Sequence, residues 1–434
     1  MDVKILNEQL SLGFIDNKHM WPRITEYESR YIQFPFDFGL NKLPLESGIL
    51  IIRGPRQYGK STWLELEIKK TILEFGRASA FYLNGDYLAS HQDLEQAILQ
   101  LLPMFNQKTV KRLFIDEITA IIGWEKCLKR LWDRGEIKDL LIITTGSKAF
   151  DLRRGSEKLP GRKGKLIQNE YIFLPLSYKH FHSKCNSKFG KKTWIAYLMT
   201  GGSMVFANDL FKFDKIQESS IQLIKDWVLG DIVSTGRSRI FLSNILSCLI
   251  KFGSSPVGYA KLAREAGISN NTVAAGYIDQ LFDLLTILPS WQWDESRKIL
   301  LGSKPCKFHF INLAMLIAFH PNMIRSVEEF CQMPQETQGV WIEWLMAQEI
   351  WRKTVLKYKY DQAEKIAFWK TKNNEIDFVL PDETFIEVKR GKAGPMDFTW
   401  FPRIFPHANL KVICQNSFEI NNIKGMSIEE FLLE

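Results

Sequence analysis

Gly54-Pro55-Arg56-Gln57-Tyr58-Gly59-Lys60-Ser61-Thr62 fills every position of the pattern G-x-x-x-x-G-K-[ST]. The flanks fit it. Upstream, residues 47–54 (SGILIIRG) are almost wholly apolar, as in a strand covered on both faces. Downstream, residues 61–76 (STWLELEIKKTILEFG) place Leu64, Ile68, Ile72 and Phe75 on one helical stripe, and Gly76 is a stop signal. A glycine loop between a strand and a helix is the context in which this pattern binds phosphate. Glycines let backbone N–H groups wrap the oxygens, and the helix N-terminus adds partial positive charge. All nine residues are therefore assigned to ATP. Lys60 is expected at the β- and γ-phosphates, Ser61 on Mg²⁺ and Thr62 near the α-phosphate.

Working outward, residues 112–117 (RLFIDE) are an apolar run ending in two adjacent carboxylates. A buried strand delivers such residues to the carboxyl edge of its sheet, where the crevice opens. Asp116 is expected to hold Mg²⁺ and Glu117 to polarise the attacking water. Residues 143–147 (ITTGS) end another strand with hydroxyls, so Ser147 and Thr145 are candidates to sense the γ-phosphate. Arg162, in Pro160-Gly161-Arg162, with Arg153 and Arg154 nearby, offers a cation for transition-state charge, in cis or across a subunit interface. Strand-like runs at 79–86, 111–117, 139–147 and 170–176 alternate with helical segments, which predicts a parallel α/β sheet. The first 45 residues, with Trp21, Tyr27, Tyr31, Phe34, Phe36 and Phe38, are expected to pack on that domain.

Further on the pattern turns helical. Residues 256–289 read as a helix, a tight turn at Gly267, and a second helix opening after Ser269-Asn270. That is a helix-turn-helix unit of winged-helix type, and DNA is its candidate partner. A third pattern follows. The amphipathic helix at 339–353 (GVWIEWLMAQEIWRK) precedes strand-like runs at 365–372, 375–381 and 384–391, with turns at Asn373-Asn374 and Pro381-Asp382.

Asp377, then Glu387-Val388-Lys389, forms the pattern D…E-x-K on consecutive strands. Alternation puts Asp377 on the face of Glu375, and Glu387 on the face of Lys389. If the strands pair, carboxylates and an ammonium converge, a set that can share Mg²⁺ while the lysine activates water. This resembles the PD-(D/E)xK nuclease fold. The resemblance implies an acid from the preceding helix, with Glu343 the best match and Glu349 the alternative. Glu343, Asp377 and Glu387 are then expected as metal ligands, and Asp377, Glu387 and Lys389 as catalytic residues.

The order of phosphate loop, LFIDE, TTGS and a G-R followed by FLPLS resembles the archaeal-type branch of the AAA+ ATPases, across nearly the whole chain. The resemblance implies a helical lid containing Gly201-Gly202, a winged helix and a C-terminal nuclease-like domain, with Arg162 matching the family's G-R arginine. The expected fold is α/β, a P-loop AAA+-like parallel sheet with a helical lid, then a winged-helix module and an α+β nuclease-like domain. The expected segments are 1–176 for the ATPase core with its lead-in, 177–240 for the lid, 241–295 for the winged helix and 296–434 for the nuclease-like domain.

Composition fits a folded, multidomain chain of 434 residues, 45% hydrophobic and 24% charged. The excess of 57 basic over 49 acidic residues, net +8, permits a nucleic-acid partner without demanding one. The six cysteines include no C-x-x-C pair, which favours free thiols in a reducing compartment. No secretory leader is legible, and no apolar run reaches the ~18 residues of a membrane span. A cytoplasmic ATPase is expected. Three functions compete: an ATP-driven switch or motor acting with nucleic acid, an ATP-gated metal-dependent nuclease, and an ATPase switch with a non-catalytic C-terminal platform for a protein partner.

Overall fold

The computed structural model describes residues 3–434 apart from Arg56, 147–160, 162–163, Ser234, Lys359 and the side chain of Tyr360. The chain forms two compact units, Met1–Leu174 and Pro175–Glu434.

The first unit is built on a parallel five-stranded sheet. Its strands are β1 (Gly48–Arg53), β2 (Ala80–Asn84), β3 (Arg112–Asp116), β4 (Leu141–Gly146) and β5 (Glu170–Ile172), in the order β2-β3-β4-β1-β5. β1 is flanked on both edges, which is why all six of its residues are buried and its sequence lacks polar alternation. It feeds the loop at 54–59 and then the helix Lys60–Phe75, which stops at Gly76 with φ 84°.

The lead-in residues pack on this unit, as expected from their aromatics. Trp21, Phe34 and Phe38 are buried, although Tyr31 is exposed. Asn7 caps the edge strand β2. Its side chain donates to the Tyr82 carbonyl and accepts from the Tyr82 N–H, both at 2.8 Å. A buried strand edge is thus paired by a side chain instead of a further strand.

The second unit opens with the helices Tyr178–Phe189, Thr193–Thr200, Met204–Phe213 and Glu218–Val233. Gly201 and Gly202 both have positive φ, and a Cβ on Gly201 would lie 1.9 Å from the Ala314 nitrogen. Glycine at that turn permits close approach to the helix Leu313–Phe319. Next come Arg239–Phe252, Tyr259–Glu265 and Asn271–Asp283, with Gly267 at φ 71° between the last two and Asn270 capping the third. The turn and helix start lie where the sequence places them.

A long hairpin follows. β6 (Ile287–Ser290) pairs antiparallel with β9 (Lys307–Phe310), and its tip carries β7 (Trp293–Asp294) and β8 (Ile299–Leu300). The boundary expected at residue 295 falls inside this hairpin. β6 and β9 are separated by a stretch whose pairing no local periodicity announces.

The C-terminal part is an α+β module. The helix Gln335–Tyr358 precedes a six-stranded sheet of β10 (Ala367–Lys370), β11 (Glu375–Val379), β12 (Phe385–Val388), β13 (Leu410–Ile413), β14 (Phe418–Ile420) and β15 (Ile423–Met426). The strand order is β10-β11-β12-β13-β15-β14, with β12–β13 and β13–β15 parallel. Its aromatic core takes Trp293 from the hairpin tip, in ring contact with Phe385 and Phe405. No helix among the described residues is long and apolar enough to cross a membrane.

Candidate functional site

The loop at 54–59 is shaped by contacts that only glycine allows. A Cβ on Gly54 would lie 2.6 Å from the Phe173 Cβ. One on Gly59, where φ is 95°, would lie 2.6 Å from the Phe36 ring. Tyr58 is buried, and that burial pushes its phenol well above the ordinary value, so it packs the loop from behind as a neutral side chain. Lys60 is buried too. Its Nζ donates to the Gly54 and Pro55 carbonyls, both at 2.7 Å, and so lies across the loop. Ser61 and Thr62 are half-buried on the first helical turn. Arg56 lies outside the described residues.

Asp116 ends β3 and is 2% exposed. The parallel register β3–β4 brings Thr145 alongside it, and the Thr145 hydroxyl donates to Asp116 Oδ1 at 2.5 Å. The same hydroxyl accepts from the Glu117 N–H at 3.3 Å. Thr145 therefore ties both acidic residues together. Glu117 itself has φ 51° and ψ 43°, left-handed for a non-glycine residue. Such a conformation costs about 1–3 kcal/mol and persists only where surroundings enforce it. Gly85 supplies part of that enforcement, since a Cβ there would lie 2.3 Å from the Glu117 carbonyl oxygen.

Arg23, from the lead-in segment, reaches the same acid. Its Nη1 is 3.8 Å from Asp116 Oδ2 and 3.2 Å from Glu65 Oε1. Burial opposes the guanidinium charge, but Asp116, Tyr82 and Glu65 more than offset it. Burial pushes the Glu65 carboxyl up, and Arg23 pulls it back. No spacing in the sequence announces Arg23, because it is far along the chain from both partners. Ser147, Arg153, Arg154 and Arg162 lie outside the described residues.

Thr145→Val should destabilise this unit. The change removes the donor to a buried Asp116 oxygen and the hydroxyl that accepts from the Glu117 N–H, at a cost of about 1–3 kcal/mol. Urea unfolding should show a lower midpoint for Thr145→Val and a near-normal one for Thr145→Ser. An unchanged midpoint in the valine variant would remove Thr145 from this role.

In the second unit, Phe378 pairs with Ile386, which sets Asp377 opposite Glu387. The two are buried and joined through backbone. The Asp377 N–H donates to Glu387 Oε2 at 3.2 Å, and the Val388 N–H to Asp377 Oδ2 at 3.0 Å. Lys389 reaches Glu387 Oε1 at 2.6 Å. Glu343, on the helix Gln335–Tyr358, joins the same cluster. Glu349 lies elsewhere, fully buried against Arg352 and Tyr197.

One member has no counterpart in the D…E-x-K pattern. Lys307 of β9, 2% exposed, places its Nζ 2.8 Å from Glu375, 3.0 Å from Asp377 and 3.4 Å from Glu343. Burial alone would lower its pKa, but Asp377, Glu343 and Glu375 raise it well above the ordinary value. Burial pushes Glu343 and Glu387 up, and Asp377 adds to it in both. The structure brings Glu343, Asp377 and Glu387, the expected ligands of a divalent cation, into one cluster. The position between Glu343 and Asp377 is taken by an ammonium, and no group of three or more His, Cys, Asp or Glu among the described residues is arranged to hold a metal. The available signal was Lys307 and His309 alternating within an otherwise apolar strand.

On the helix-turn-helix unit, Lys261, Arg264, Asn270, Asn271 and Thr272 are all exposed.

The family model of the AAA domain matches residues 46–182. An uncharacterized protein of Methanocaldococcus jannaschii is 22% identical over 410 residues, covering 88% of this chain and 82% of that protein. Among solved structures, a Walker-type ATPase of Pyrococcus abyssi is 12% identical at a TM-score of 0.42, covering 70% of this chain and 96% of its own. The ORC2 protein of Aeropyrum pernix is 10% identical at a TM-score of 0.37, covering 70% and 89%.

Proposed function

We propose, starting from the AAA domain at residues 46–182, that this chain is an ATP-binding and ATP-hydrolysing switch whose nucleotide state governs its affinity for nucleic acid. The observation that carries the reading is the hydrogen-bonded set of buried Asp116 and Thr145 with the strained, half-buried Glu117, on the same sheet whose β1 feeds a glycine-shaped loop that holds Lys60.

The residues present suit ATP and Mg²⁺. The backbone N–H groups of 54–62 would take the phosphates, and the Lys60 ammonium would exchange the Gly54 and Pro55 carbonyls for β- and γ-phosphate oxygens. The Ser61 hydroxyl and Asp116 carboxylate would hold Mg²⁺, which supplies charge neutralisation on the phosphates. The Glu117 carboxylate would accept a proton from the attacking water and orient it. Ser147 or Thr145 remains the proposed sensor of the γ-phosphate. Arg162 is the proposed source of positive charge in the transition state.

The exposed basic and amide side chains of the helix-turn-helix unit support the nucleic-acid part. Binding to duplex DNA should weaken steeply with salt, at a log–log slope of about −0.9 per phosphate contact. Lys261→Ala or Arg264→Ala should each lower that slope by about one contact. A flat salt response in a fluorescence-anisotropy titration would leave the unit as a packing module. The test of the whole reading is ATP turnover with and without duplex, single-stranded and branched DNA. Linkage requires that ATP shift DNA affinity by the factor by which DNA shifts ATP affinity. Turnover and nucleotide affinity indifferent to every DNA form would point to a protein partner.

A further inference from the structure

We propose that Lys307 is the resident cation of the C-terminal carboxylate cluster, an internal ammonium that stands where a divalent cation would have to bind and clasps the helix-turn-helix hairpin to the C-terminal sheet. The proposal is independent of the nucleotide reading, since every residue in it lies in the second unit.

Geometry makes the ammonium and a metal exclusive at the position between Glu343, Glu375 and Asp377. A divalent cation needs carboxylate oxygens at about 2.0–2.6 Å. Lys307 Nζ already sits within 3.4 Å of oxygens from Glu343, Glu375 and Asp377. A metal between those acids would meet a like charge at contact distance, on an ammonium that is itself buried. The lysine cannot swing aside within this conformation, because it is 2% exposed and its ammonium lies 5.5 Å from the centre of the Phe368 ring.

His309 closes the same position from the next turn of the strand alternation. It is fully buried, neither ring nitrogen has a hydrogen-bond partner, and its Nδ1 is 4.0 Å from Glu343 Oε1. Burial and Lys307 hold its pKa well below the usual value, so the ring is neutral. An unpartnered imidazole aimed at a carboxylate marks a pocket in which a single cation, the lysine, has been accommodated.

The hairpin bearing Lys307 is anchored through its other arm as well, after β6. Trp293 enters the aromatic core of the sheet. The Phe368 N–H donates to the Trp291 carbonyl at 3.1 Å, and Gln292 Nε2 donates to the Lys370 carbonyl at 2.9 Å. The ion cluster is therefore one clasp along a continuous seam. Its charges, which in a cleavage centre would face substrate, are spent inside the protein.

The experiment uses the full chain without nucleotide and reads urea unfolding with and without Mn²⁺. Lys307→Met should lower the midpoint, because removing one partner strands buried carboxylates. Mn²⁺ should raise the midpoint of Lys307→Met by more than that of the wild type, whose response sets the contribution of the nucleotide site. The triple variant Lys307→Met, Glu343→Gln, Asp377→Asn should recover most of the midpoint and lose the extra Mn²⁺ response. If Lys307→Met does not fold at all, recovery of folding in the triple variant supports the clasp, and failure of both overturns it. Equal Mn²⁺ shifts in wild type and Lys307→Met would overturn the metal-position assignment. So would Mn²⁺-dependent plasmid cleavage by the wild type that is abolished in Asp377→Asn.

Discussion

Glu117→Gln is expected to leave ATP binding intact and to lower turnover by roughly 100-fold or more, the usual contribution of a positioned general base. The glutamine is isosteric, so the left-handed backbone at 117 and its N–H bond to Thr145 should survive. The phosphate loop and Asp116 are untouched. What disappears is a carboxylate able to take a proton from water. The strain at Glu117 is consistent with this role, since enforced backbone at a charged residue aims its side chain. The variant should accumulate bound ATP, which a filter-binding assay after mixing with labelled ATP would show against single-turnover hydrolysis. Turnover at the wild-type rate would move water activation to another carboxylate. Loss of ATP binding would instead mean that Glu117 holds the metal.

Lys60→Ala should abolish tight ATP binding. Removing one partner from a buried charge contact costs about 2–5 kcal/mol, or roughly 30-fold to 4,000-fold in affinity. In the wild type the Lys60 ammonium is pre-positioned across the loop by the Gly54 and Pro55 carbonyls, so little ordering is needed to meet phosphate. Alanine also deprives those carbonyls of their donor, so the loop itself could loosen. A Lys60→Met variant, which keeps the buried stem, separates charge from packing. Both variants should bind ATP weakly while retaining the wild-type circular dichroism spectrum. Unchanged nucleotide affinity in a folded variant would remove residues 54–62 from the phosphate site.

Much of the first unit was legible along the chain. A phosphate loop needs a strand, two glycines, a lysine and a helix start within nine consecutive residues, and those requirements are local. The strand ends at Asp116-Glu117 and Thr144-Thr145 were legible for the same reason. That Thr145 binds both acidic residues was not, because it depends on the parallel register of β3 with β4. Nothing local marks Arg23. Its partners lie 42 and 93 positions away, and the contact exists only because the lead-in segment folds back over the sheet.

The second unit divides differently. Strand alternation and the turn at Pro381-Asp382 were enough to bring Asp377 and Glu387 together, since pairing across a short turn is nearly forced. Glu343 and Glu349 could not be separated that way. They are six residues apart on a helix, about 240° around its axis, and this helix is buried over much of its circumference. Packing alone decided which acid met the sheet.

The sequence by itself determined the phosphate loop, the strand-helix alternation of the first unit, the turn at Gly267, and the carboxylates of the strands at 375–379 and 385–388. All of these follow from φ/ψ preference and side-chain periodicity over a few residues. Only the tertiary structure decided what those carboxylates face. Lys307 is 36 residues from Glu343 and 70 from Asp377, on a hairpin whose strands are themselves far apart in sequence. A D…E-x-K pattern specifies where acids stand on a strand. Whether water, a metal or an ammonium fills the space between them depends on which distant element the hydrophobic core draws over it, and here Trp293 draws in the hairpin that carries the lysine.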